Sequence, residues 1–115
     1  MTQLVKIQNE AGYSSIHFDG IKSLDVNNAQ RVKAEIKGLI DSNIQNLAID
    51  LSQVHFIDST GFGTLISILK EMKARNGRLI LCGISNEVRE LMDLMQLLNV
   101  FETCSSLQEV AHLIK

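Results

Sequence analysis

The sequence predicts an α/β fold: a mixed β-sheet of about five short strands with about four helices packed against it. Three observations carry that prediction. Short apolar runs of strand length alternate with longer segments whose apolar residues recur every three or four positions. No Ser-, Gly- or charge-rich linker and no internal repeat divides the 115 residues, so residues 1–115 are read as a single domain. A hydrophobic content of 45% supports a small core without a metal or disulfide staple.

The elements follow in order. Leu4-Val5-Lys6-Ile7 and Ser15-Ile16-His17-Phe18 alternate in polarity, with Gly12 and Tyr13 near the turn between them, which predicts an antiparallel strand pair. From Val26 the period changes: Val26, Ala29, Val32, Ile36 and Ile40 fall on one helical face, Lys33 and Lys37 on the other, and Asp25 is placed to cap the helix. Leu47–Leu51 and Arg78–Cys82 are mostly apolar, as strands inside a sheet and covered on both faces should be. Between them Leu65, Ile66, Leu69 and Met72 mark a helix, with Lys70, Lys73 and Arg75 hydrated and Asn76-Gly77 as its stop. A right-handed strand-helix-strand crossover is expected there. Val88, Leu91, Met92 and Met95 mark a third helix that opens at Ser85-Asn86. Val100-Phe101 reads as an edge strand, and Leu107, Val110, Ala111 and Ile114 as a last helix capped by Ser105 or Ser106. The chain has no proline, against an average near 5%, so glycines and side-chain caps must end its helices.

Composition removes several classes of function. Eleven Lys and Arg against thirteen Asp and Glu leave a net charge of −2, which makes no electrostatic case for a nucleic-acid backbone. The basic stretch Lys70, Lys73, Arg75 and Arg78 is interrupted by Glu71 and lacks interleaved aromatic residues. Polar residues break every apolar run before the roughly 18 residues of a membrane span, and Met1-Thr2-Gln3-Leu4-Val5-Lys6 lacks the apolar core of a secretory signal. A soluble, complete, cytoplasmic protein is the expectation, and Cys82 and Cys104 fit a reducing compartment better than a disulfide scaffold.

Catalytic signatures are weak. No GxxxxGK[ST] loop occurs, Phe56–Thr60 is not a GxSxG elbow, and Gly61-Phe62-Gly63 is only a GxG. Asp19, Asp25, Asp50 and Asp58 lack the spacing of a carboxylate enzyme; His17, His55 and His112 lack ligand spacing, and no metal or cofactor is expected. Cys82, inside an apolar strand, reads as a small core residue. The apolar excess in Leu91–Leu98 fits either a packed helix end or a contact with a partner or a second copy, with a monomer preferred.

One segment stands out. Val54–Gly63 runs from apolar residues through a polar elbow into the second predicted helix. Ser59 lies where free backbone N–H groups and the positive end of the helix dipole favour negative charge, so a phosphate on it would be stabilised. Gly61 and Gly63 reduce bulk around it. The same residues equally describe an ordinary turn, with Asp58 or Ser59 as N-cap and glycines shaping the bend.

Phe56-Ile57-Asp58-Ser59-Thr60-Gly61-Phe62-Gly63 resembles the signature of the bacterial anti-sigma-factor antagonists, the founding group of STAS domains. The resemblance runs from Leu4 to about Ile114 and takes in Gly20…Leu24-Asp25, Asn46–Leu51, and Arg78–Gly83 followed by Ile84-Ser85. It implies that Ser59 is phosphorylated by a partner anti-sigma factor, a histidine-kinase-like ATPase acting on serine. The dephosphorylated protein would hold that kinase and free a sigma factor, and a PP2C-type phosphatase would reset the phosphoprotein. The resemblance also implies partner contacts at Asp25, Asp58, Ser59, Thr60, Gly61, Phe62 and Gly63. Thr60, adjacent and chemically competent, is a competing acceptor by residue type, but the resemblance assigns the main event to Ser59. The chain departs from the pattern twice. The interval Gly20 to Asp25 is longer, which bears on a partner-facing loop; Phe62 replaces an aliphatic residue, as a core contact or an exposed aromatic anchor. A noncatalytic STAS adaptor without a sigma factor is the second expectation, and a small hydrolase or phosphotransfer enzyme the third.

Overall fold

Alternating side chains in Val5–Glu10 (β1) and Tyr13–Phe18 (β2) close an antiparallel hairpin, with Gly12 at φ +90° in the turn between them. A computed structural model describes residues 3–114 of the chain, so Met1, Thr2 and Lys115 lie outside the described residues, as do the ends of the expected 1–115 unit. After the hairpin come Ser23–Leu24 (β3), Ala29–Leu39 (α1), Asn46–Asp50 (β4), Phe56–Ile57 (β5), Ser59–Ala74 (α2) and Arg78–Cys82 (β6). Asn86–Leu94 (α3), Glu102–Cys104 (β7), a 3-10 turn over Leu107–Glu109 and Val110–Leu113 (α4) complete the order.

The main sheet has the order β1-β2-β4-β6-β7, with β1 antiparallel to β2 and all other neighbours parallel. This is the expected mixed five-stranded sheet with four helices. Its alternation explains the two layers. Leu47, Ile49, Leu79 and Leu81 face the larger core, where Val32 and Ile36 of α1 and Phe62, Leu65, Ile68 and Met72 of α2 are buried. Ala48, Ile80 and Cys82 point the other way and meet Val110, with Tyr13, Leu107 and Ile114 around them.

Four local expectations change. Val26 is 68% exposed and precedes α1, which starts at Ala29 after a turn. Asp25 does not cap α1: its Oδ1 accepts the Asn27 N–H at 3.0 Å and its Oδ2 the Ser23 hydroxyl at 2.9 Å, so its carboxylate is spent on its own loop. The edge strand is Glu102–Cys104 and not Val100-Phe101; Phe101 is buried as the chain enters the sheet, but pairing with β6 begins only at Glu102. The last helix shrinks to the 3-10 turn and α4, and neither serine side chain accepts a cap bond there. Ser105 instead donates its N–H and hydroxyl to the Glu109 carboxylate, at 2.7 and 2.6 Å, which holds that carboxyl below its ordinary pKa. At the end of α2, Asn76 takes the left-handed φ of 59°, whereas Gly77 is needed for room: a Cβ there would lie 2.5 Å from the Gln45 carbonyl oxygen.

Candidate functional site

The elbow between β5 and α2 is built by Asp58. As N-cap of α2 it accepts the Gly61 N–H on Oδ1 at 2.8 Å, and its backbone carbonyl accepts the Phe62 N–H at 2.9 Å. Its other oxygen, Oδ2, accepts the Val26 N–H at 3.0 Å from a loop 32 residues earlier. One carboxylate thus starts the helix and pins the loop that follows β3.

A second, two-stranded sheet holds the same loop from below. β3 pairs parallel with β5, Ser23 with Phe56 and Leu24 with Ile57. The His55 N–H donates to the Lys22 carbonyl at 2.8 Å and the Asp58 N–H to that of Leu24 at 3.2 Å. Gly61 is where the layers touch: a Cβ there would sit 2.2 Å from the Leu24 carbonyl oxygen and 2.7 Å from Ile57 Cγ2. Thr64, buried one turn on, donates its hydroxyl to the Ala29 carbonyl at 3.1 Å and ties α2 to the start of α1.

On this base Ser59 is the first residue of α2, and both it and Thr60 are exposed. Gly63, one turn on and on the same helix face as Ser59, is exposed, and a Cβ there would meet nothing within 4 Å. The surface here is a ridge of backbone and small side chains. Phe56, 47% exposed, and Val26 add apolar area beside it, and neither was singled out as a contact residue from sequence. Their exposure depends on the β3–β5 pairing and the Asp58–Val26 bond, which join segments far apart in the chain.

The seven residues implied by resemblance therefore divide. Ser59, Thr60 and Gly63 form the accessible ridge, and Asp58 is the half-buried brace beneath it. Gly61 and Phe62 face inwards; Phe62 is 1% exposed, so its ring is a core contact and not an aromatic anchor. Asp25 shapes the neighbouring loop through Ser23 and Asn27.

The histidines are scattered. His55 Nδ1 lies 3.8 Å from a Glu87 carboxylate oxygen, and His112 lines a cleft on the far face with Cys104 and Glu109. Among the described residues no group of three or more His, Cys, Asp or Glu is placed to hold a metal. One Ser-His-Asp line was not foreseen: Ser15 Oγ is 2.8 Å from His17 Nε2, and His17 Nδ1 is 3.6 Å from Asp50 Oδ2. It arises because Ser15 and His17 share a face of β2 and His17 is in register with Asp50 of β4. The Ser15 hydroxyl is sealed, at 2% exposure for the residue, and the His–Asp separation exceeds a hydrogen bond, so the line braces the sheet and presents no nucleophile.

Comparison with known proteins agrees with this architecture. The family model described as STAS domain matches residues 6–110. BtrV of Bordetella bronchiseptica, provisionally named an anti-sigma factor antagonist, is 26% identical over 88 residues, 76% of either chain. A solved anti-sigma-factor antagonist (STAS) domain protein from Planctomyces limnophilus superposes with a TM-score of 0.85 at 20% identity, over 96% of this chain and 97% of that one. The Bacillus cell fate determinant SpoIIAA, solved in its phosphorylated form, gives 0.68 at 19% identity, over 95% and 98%. With the family model covering nearly all of the chain and the β5–α2 elbow in place, the chain belongs to the STAS domain family.

Proposed function

We propose that this STAS domain is an anti-sigma-factor antagonist whose docking ridge is switched by phosphorylation of Ser59. STAS domains are noncatalytic regulatory and adaptor modules, and Ser59 acts as substrate and switch. The observation that carries the reading is the exposure of Ser59 at the first position of α2, on a ridge braced by Asp58. In the dephosphorylated state the ridge binds an anti-sigma factor serine kinase and releases a sigma factor. Phosphorylation by that kinase, which supplies the ATP site, ends the complex, and a PP2C-type phosphatase restores it. The solved relative in a phosphorylated form supports the analogy.

The electrostatics are local. A phosphate adds about −1.5 to −2 charge at neutral pH and three strong acceptor oxygens. In the free protein the start of α2 accommodates that charge through the positive end of the helix dipole, although the Gly61 N–H is already taken by Asp58 Oδ1 and the Phe62 N–H by the Asp58 carbonyl. The Asp58 carboxylate beside it already accepts two backbone N–H groups, which moderates its repulsion. In a tight complex the added charge must be desolvated against the partner, so affinity falls without any refolding of the chain.

Incubation with the cognate kinase and ATP should add one phosphate to the wild type and none to Ser59→Ala, read by intact mass and peptide mapping. Ser59→Asp should weaken kinase binding at least tenfold by calorimetry, about 1.4 kcal/mol. Phosphate at Thr60 alone, or equal affinities for wild type and Ser59→Asp, would overturn the proposal. An adaptor that binds regardless of phosphate would behave in the latter way.

Gly63 provides an independent check of the docking ridge. A glycine inside a helix costs about 1 kcal/mol relative to alanine, and nothing within 4 Å requires its absence of a side chain. Gly63→Ala is expected to raise the melting temperature by a few degrees while weakening kinase binding about tenfold, since the added methyl stands on the ridge one turn from Ser59. A variant that is more stable and binds as well as wild type would remove the ridge from the interface.

A further inference from the structure

The two cysteines meet on the sheet face turned away from Ser59. Cys82 ends β6 and Cys104 ends β7; they are partners in the parallel register, and their sulfurs are 3.2 Å apart. Their surroundings are unequal. Cys82 is fully buried among Ala48, Ile80 and Val110, whereas Cys104 is partly exposed and lines a cleft of about 390 Å³ with Thr103, Glu109, His112 and Leu113.

We propose that Cys104 and Cys82 form a thiol modification site, in which a hydroperoxide oxidises the pair to a reversible intrachain disulfide. The geometry needs little adjustment. In-register neighbours in a sheet lie at about 4.8 Å spacing, inside the Cα separation a disulfide accepts, and the sulfurs must close by roughly 1 Å to reach the bond length of about 2.05 Å. Access fixes the order of events. The cleft admits a small peroxide to Cys104, and burial pushes the Cys82 thiol well above its ordinary pKa, so Cys82 does not react first.

The chemistry balances. The Cys104 thiolate sulfur attacks one oxygen of the hydroperoxide; the O–O bond breaks, the leaving oxygen is protonated as an alcohol or water, and Cys104 becomes a sulfenic acid. The Cys82 sulfur then attacks Cys104 Sγ, the S–O bond breaks, and the departing hydroxide takes the Cys82 thiol proton as water. Two electrons pass from the sulfur pair to the peroxide. The product ties β7 to β6 and closes a loop containing α3, which fastens the C-terminal segment over the sheet. A thiol reductant reverses it, as suits a transient rather than structural disulfide.

The test is oxidation of the reduced full chain with hydrogen peroxide, followed by non-reducing mass spectrometry and peptide mapping. The expected result is loss of both thiols and of two hydrogens, a cross-linked Cys82–Cys104 peptide, a monomer on a non-reducing gel, and full reversal by dithiothreitol. Hydrogen exchange at Glu102–Cys104 should slow on oxidation. Cys82→Ala should instead trap the sulfenic acid at Cys104 as a dimedone adduct, and Cys104→Ser should give neither product. Should Cys82→Ala fail to fold, the wild-type peptide map and Cys104→Ser decide alone. Wild type that keeps both thiols, stops at an oxidised Cys104 with Cys82 free, or links between chains would overturn the proposal.

Discussion

Gly61→Ala should lower the stability of the domain by about 3 kcal/mol, although alanine is the better helix former. The propensity gain of about 1 kcal/mol is outweighed by contact. The new methyl carbon would lie 2.2 Å from the Leu24 carbonyl oxygen and 2.9 Å from the Leu24 carbonyl carbon, and both are backbone. No rotamer change relieves such a clash. α2 must move away from β3, which stretches the Asp58–Leu24 hydrogen bond of 3.2 Å and strains the β3–β5 pair. Urea denaturation should show a lower midpoint with unchanged slope, and the melting temperature should fall by roughly 10 °C or more. Kinase binding should fall with it, since the elbow that presents Ser59 is displaced. Gly63→Ala is the internal control: the same substitution, two residues on, moves stability the opposite way because that position is open. A Gly61→Ala protein as stable as wild type would mean that β3 does not sit against α2.

The contrast between these two glycines also marks where sequence reading ends. Their spacing and the preceding Asp-Ser-Thr announce a helix start, but which glycine is crowded depends on Leu24, a residue 37 positions earlier. The strands and long helices were legible because one-sided burial imposes a period: Leu47 to Asp50 and Arg78 to Cys82 are flanked by segments of helical spacing, and they fold as parallel neighbours. β3 and β5 were not, since two residues carry no period and each strand exists only because the other pairs with it. Val26 misled for a related reason. It lies three residues before Ala29 and looks like part of the α1 stripe, yet its N–H is held by Asp58, which keeps the loop out of helix and leaves the side chain in solvent. Asp25 carries the composition of a cap, but the Ser23 hydroxyl and the Asn27 N–H claim its oxygens first. The Ser15–His17–Asp50 line was likewise out of reach, because only the β2–β4 register brings Asp50 beside His17.

Phe62→Ala should be the more damaging of two aromatic truncations, destabilising the fold by about 3–5 kcal/mol, a large share of the 5–15 kcal/mol that holds a small domain together. Phe62 is 1% exposed and belongs to the core cluster with Leu65, Ile68 and Leu24, so its removal leaves a cavity in the layer between α2 and the sheet. Phe62→Leu or Phe62→Met keeps most of that volume and should cost under about 1.5 kcal/mol. The aliphatic variants should bind the kinase like wild type, because the ring does not reach the surface. Phe56→Ala reverses the pattern. Its side chain is half in water beside the elbow, so truncation should leave the melting temperature within a few degrees and weaken binding severalfold. Measuring denaturation midpoint and kinase affinity for all four variants separates packing from recognition. Loss of affinity in Phe62→Leu at native-like stability would restore Phe62 as a contact residue, and unchanged affinity in Phe56→Ala would confine the interface to the Ser59, Thr60 and Gly63 ridge.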